Sequence, residues 1–154
     1  LRCIEYFMFE EDFMEKNIRC IPMIIRFKMD GAGIKLRLSE WGRFTINERI
    51  VLALMSCNSN EEAGIYNAYL TGLVKKYTGK NPKALDVDET PPWNDCYTVP
   101  ETLNVKLREF DWSLSIEQWK SLTSLQRFAL VKLCRPGHKN QNLRKAMKEF
   151  KLVH

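Results

Sequence analysis

The chain has 154 residues, 45% hydrophobic and 28% charged, an ordinary balance for a soluble globular protein long enough to bury a core. Its formal net charge of +5 could assist contact with an acidic partner but is far from a nucleic-acid footprint, and no apolar run approaches the roughly 18 residues that would span a bilayer. Five scattered cysteines without C-x-x-C spacing argue for reduced thiols rather than a disulfide scaffold, and two histidines argue against a structural zinc or catalytic metal. Leu1 is not an initiator, so a tag, a disordered lead or a targeting peptide is expected to have preceded it.

In chain order, Glu10, Glu11 and Asp12 before Phe13 and Met14 read as an acidic first helical turn, favoured by the helix dipole. Pro22 suits position N1 of a helix through Arg26 to about Asp30, with Gly31 as its stop and Met23, Ile24 and Phe27 as its apolar stripe. A second amphipathic helix is expected over Glu61–Thr78, ended by Gly79, with Ile65, Tyr66, Tyr69, Leu70, Leu73, Val74 and Tyr77 on one broad face. Residues 81–100 contain Pro82, Pro91, Pro92 and Pro100 and read as an extended loop that Trp93 and Tyr97 pin to the body. Short helices near Glu101–Glu109 and Asn140–Phe150 follow.

Around that loop lies an internal duplication, residues 36–56 and 114–134, at a constant offset of 78 between Trp41 and Trp119. The shared pattern is L-x-[LI]-x-x-W-x-x-[FL]-T-x-x-[EQ]-R-x-x-L. It predicts a short helix, a tight turn and a longer capped helix, twice. Thr45 with Glu48 and Thr123 with Gln126 form capping boxes, as does Ser115 with Gln118, while Leu114 can staple onto Trp119. The longer helices, Thr45–Met55 and Thr123–Cys134, are apolar nearly all round and are expected to form the core. No segment shows sustained β alternation. The expectation is an all-α fold: one compact single-domain helical bundle over 1–154, with a helix-turn-helix-like duplication and a Pro-rich, acidic central loop.

Little in this sequence points to catalysis. Cys20 is the best thiol, beside Arg19, but no histidine is near it in sequence, and Gly31 and Gly33 lack the context of a dinucleotide loop. Asp86, Asp88 and Glu89 lack a calcium-loop register. The second helix of each repeat has too few polar side chains to read DNA bases, and Arg49 and Arg127 more readily cover apolar neighbours or pair locally. What remains is a basic stretch, Arg19, Arg26, Lys28, Lys35 and Arg37, suited to an anion or an acidic protein surface.

The runs Phe9-Glu10-x-Asp12-Phe13, Arg19-Cys20-Ile21-Pro22-Met23-x-x-Arg26-x-Lys28-x-Asp30 and Gly33-Ile34-Lys35-Leu36-x-Leu38-x-x-Trp41 resemble the nitrate reductase-associated protein family. Trp119, Leu122, Gln126-Arg127-Phe128-Ala129-Leu130 and Lys132-Leu133 are similar to its C-terminal pattern, so the likeness runs from about Phe7 to Phe150. The resemblance implies no established enzymatic activity, no cofactor and no catalytic residues. It implies a non-catalytic accessory protein of nitrate assimilation, an adaptor or maturation factor whose partner is nitrate reductase or its maturation machinery. The alternative is a structural linker subunit of a larger, plastid-type complex. The expected location is the cytoplasm, or the plastid stroma in a photosynthetic eukaryote, with neither nucleic acid nor a membrane span involved.

Overall fold

The computed structural model describes residues 5–10, 20–135 and 141–154. Among these, eight α-helices carry the fold beside one two-stranded sheet, so the all-α expectation holds. Contacts gather the chain into two compact units, Leu1–Asp88 and Glu89–His154, and each contains one copy of the duplication.

In the first unit a 3-10 turn, Met8–Glu10, precedes α1, Met23–Ala32. Of the acidic turn expected from Glu10 onward, residues 11–14 lie outside the described ones, and Glu10 itself closes the 3-10 turn. Glu10 is buried, and its Oε1 accepts the Met23 N–H at 2.7 Å. Pro22, which sits at the N-cap rather than at N1, offers no side-chain acceptor for that amide. A carboxylate from an earlier turn therefore serves both the free N–H and the positive end of the helix. The helix runs through Gly31 and stops at Gly33, which adopts the left-handed conformation at φ 72°. Gly31 fails as a stop because the chain needs its left-handed residue where β1, Ile34–Lys35, departs. There the main chain meets β2, Lys83–Ala84, antiparallel with Ile34 opposite Ala84, and Leu85 N–H bonds to Gly33 O at 2.9 Å.

Then come α2, Leu38–Trp41, α3, Ile46–Leu54, and α4, Asn60–Thr78. The Thr45–Glu48 capping box is present in both directions, and Gly79 ends α4 at φ 72°. α1 packs on α3 and α4, and α2 on α4. Ile25, Ile34, Trp41, Leu52, Tyr66, Leu70 and Val74 lie at the centre. α4 buries a narrower stripe than its apolar residues allow, and Ile65 stays exposed. The larger departure is α3. It buries Leu52 and Ala53, yet Ile46 is 52% and Val51 40% exposed, so this helix is packed on one face only.

In the second unit, a 3-10 turn at Pro92–Asn94 lies on α7, Ser124–Leu133, which also packs against α5, Glu101–Arg108, and α8, Gln141–Glu149. α6, Ile116–Ser121, carries the Ser115–Gln118 box and α7 the Thr123–Gln126 box. Leu125, Phe128, Ala129 and Leu130 of α7 are buried with Leu103, Leu107, Trp119, Leu143 and Met147. Here the second copy of the repeat does form the core. Trp93 pins the Pro-rich loop, its ring edge-on to Phe128 with centroids 4.9 Å apart. Tyr97 does not: it is 68% exposed, with the Lys120 ammonium over its ring at 5.0 Å.

Candidate functional site

The five cations singled out by sequence have different fates. Arg19 lies outside the described residues. Arg26, on α1, is half-buried, its Nη1 3.8 Å from the Met23 sulfur. Lys28, two residues further along the same helix, donates from Nζ to the carbonyls of Ala53 at 2.6 Å and Met55 at 2.5 Å. It thus closes the C-terminal end of α3, where a cation meets the negative pole of the helix. Burial lowers its pKa, while Cys57 and Glu5 oppose that shift. Lys28 is committed to the fold. Lys35 is exposed on β1, and Arg37 is exposed at the N-cap of α2.

Arg37 is the one that meets new company. With Arg43, Lys80 and Lys83 it lines a cavity of about 510 Å³ in the first unit, in which Glu40 is the single carboxylate. Each side chain gets there for a local reason. Glu40 turns back to accept the Arg37 N–H at 2.7 Å, which starts α2; the guanidinium has no acceptor to return, so the box is half a box. Arg43 follows α2 and donates from Nη1 to Tyr77 O, at the carbonyl end of α4. The left-handed Gly79 then turns the chain out of α4, and Thr78 Oγ1 accepts the Lys80 N–H at 3.2 Å. Lys83 enters through β2, directly opposite Lys35.

Like charges directly opposite in an antiparallel pair are destabilising. Arg37, Arg43, Lys80 and Lys83 make no ion pair among the described residues. A concavity with four cations, one already engaged carboxylate and polar Asn81 is arranged to accept negative charge. The sequence showed Arg37 but missed Arg43, Lys80 and Lys83. They stand far from the basic stretch, and only the α4 exit and the strand register bring them to it.

Reactive thiols do not converge on this cavity. Burial pushes the Cys57 thiol up, against the pull of Lys28, and raises Cys134 to about 11 against Lys106. Among the described residues no cluster of His, Cys, Asp and Glu is placed to hold a metal.

A family model described as conserved nitrate reductase-associated protein matches residues 6–150. No curated protein and no solved structure gives a significant match.

Proposed function

The chain belongs to the conserved nitrate reductase-associated protein family, and from that membership we propose a non-catalytic accessory protein of nitrate assimilation. On this reading it acts by contact with nitrate reductase or with the machinery that matures it, as adaptor or maturation factor. The observation that supports a contact role is the cavity lined by Arg37, Arg43, Lys80 and Lys83, whose charges make no ion pair among the described residues and suit an acidic partner. Its place of action is the cytoplasm, or the plastid stroma in a photosynthetic eukaryote. Among the described residues no helix is long and apolar enough to cross a membrane. The test is capture from nitrate-grown cells with the tagged full chain as bait. Recovery of the reductase or a maturation protein is the expected result, and repeated capture of neither overturns the reading.

A second reading, a linker subunit of a larger assembly, draws on the uncovered face of α3, where Ile46 and Val51 are exposed. It predicts a stable large complex in native extracts, against the reversible capture expected of an adaptor.

A further inference from the structure

Each copy of the repeat buries a tryptophan and an arginine, and the two pairs are served unequally. In Glu89–His154, the Trp119 indole N–H donates to Asp95 O at 2.7 Å, and Arg127 Nε donates to Trp93 O at 2.7 Å. Both acceptors are main-chain carbonyls of one loop, two residues apart, entered through Pro91 and Pro92. The loop is seated by Trp93, which packs on Phe128 and lies under the Lys132 ammonium at 5.4 Å.

In Leu1–Asp88 the corresponding donors are Trp41 Nε1 and Arg49 Nε, and neither has an acceptor among the described residues. Trp41 is 0% and Arg49 7% exposed, so solvent does not serve them either. Buried polar groups are overwhelmingly hydrogen-bonded, and two exceptions at the matched atoms of one motif form one site rather than two defects. Where Phe128 and Lys132 hold the loop in the second unit, the repeat offset places Ile50 and Leu54 in the first, both half-buried and one turn apart on α3. Arg49 makes no ion pair among the described residues, so its buried charge is not neutralised there and favours an acidic ligand.

We propose that Trp41 and Arg49 form a docking site for an acidic loop of a partner polypeptide. The loop presents two main-chain carbonyls, two residues apart, to Trp41 Nε1 and Arg49 Nε, and lays an apolar side chain on Ile50 and Leu54. The second unit shows the chemistry of such a ligand within the same chain. The proposal rests on the protein-partner reading above and names what that partner offers. Because both nitrogens are shielded, docking displaces their cover and is slower than a diffusional encounter.

The test uses the full chain, ¹⁵N-labelled, and an unlabelled capped peptide with the sequence of residues 89–95, Glu-Thr-Pro-Pro-Trp-Asn-Asp. The expected result is a saturable shift of the Trp41 indole N–H signal while that of Trp119 stays in place. Trp41→Phe, which keeps the ring and removes the donor, weakens binding of a fluorescent form of the peptide about tenfold, the loss of one hydrogen bond. Thioamides at the peptide's last-but-two and last residues weaken the acceptors without altering the protein, and give the same loss should the variant fold poorly. An unmoved Trp41 signal at saturating peptide, or undiminished binding by Trp41→Phe and by the thioamide peptide, overturns the inference. If the peptide shifts Trp41 but capture recovers no nitrate-assimilation protein, the docking site stands and the family-based role falls.

Discussion

Arg127 shows how much one buried side chain can hold. Its guanidinium lies over Trp119 at 5.9 Å and donates to the carbonyls of Trp93, Trp119 and Leu122 and to the Ser124 hydroxyl. Arg49 lies over Trp41 at 5.4 Å but, among the described residues, donates only to Gly42 O, at 3.2 Å, and burial lowers its pKa. Removing a buried donor strands its acceptors, at about 1–3 kcal/mol each and not additively. Arg127→Met is therefore expected to cost about 3 kcal/mol and Arg49→Met about 1 kcal/mol, the latter softened by relief of a poorly served charge. Denaturant unfolding of the two variants gives the ranking.

Glu48 carries a second prediction. Burial works against its charge, but the Thr45 amide, the Tyr77 hydroxyl at 2.6 Å and the Lys76 ammonium at 3.3 Å hold its carboxyl down to about 2 from an ordinary 4.5. As pH falls, the unfolded chain takes up this proton before the folded one. The stability owed to the charge is complete above about 4.5 and is lost between about 4.5 and about 2. The difference in stability between the native chain and Glu48→Gln should narrow across that interval and vanish at its acid end, followed by melting at stepped pH.

For the elements, the starts of helices were far more legible than their ends or their burial. Capping boxes are local chemistry: a hydroxyl and a carboxylate or amide three residues apart act within one turn, whatever surrounds them. Thr45–Glu48, Ser115–Gln118 and Thr123–Gln126 all act as their spacing implies. The end of α1 depended on where the chain had to turn, since both Gly31 and Gly33 could supply a stop. At Gly33 an added Cβ would meet Leu85 O and the Val87 side chain, each at 3.1 Å, on a backbone already at φ 72°. Gly33→Ala is expected to lose about 1–2 kcal/mol from the left-handed conformation alone. Gly31→Ala, whose Cβ would meet only the Cys57 sulfur at 3.9 Å in a helical position, should be neutral or stabilising. Thermal melting of the pair separates the true stop from its neighbour. The equal burial expected of the two long helices failed because periodicity reports which faces are apolar, not how many neighbours arrive to cover them. α7 receives α5, α8 and the Pro92–Asn94 turn, whereas α3 packs chiefly with α1.

At the scale of the whole molecule, a net charge of +5 says less than its placement. Of the basic stretch, Lys28 is folded into the end of α3, while Arg37 joins cations from three other points of the chain. If that cluster contacts an acidic partner, capture should weaken as salt rises from about 0.1 M to about 1 M, where the Debye length falls from about 10 Å to about 3 Å. Lys80→Glu with Lys83→Glu should abolish capture at low salt without altering the circular dichroism of the chain, because both side chains are exposed. Capture by this double variant equal to that of the native chain would remove the cavity from the contact.

The sequence alone determined the helical class, the duplication and the caps, since each is written in residues within one or two turns of one another. Tertiary structure alone decided that α7 is surrounded and α3 is not, that Gly33 and not Gly31 ends α1, and that Lys80 and Lys83 share a cavity with Arg37. It also decided that Trp119 Nε1 and Arg127 Nε each meet a loop carbonyl while, among the described residues, Trp41 Nε1 and Arg49 Nε meet none. The physical reason is common to all four: each depends on groups distant in sequence being brought within a few ångströms, and a residue's own spacing carries no information about what arrives from elsewhere.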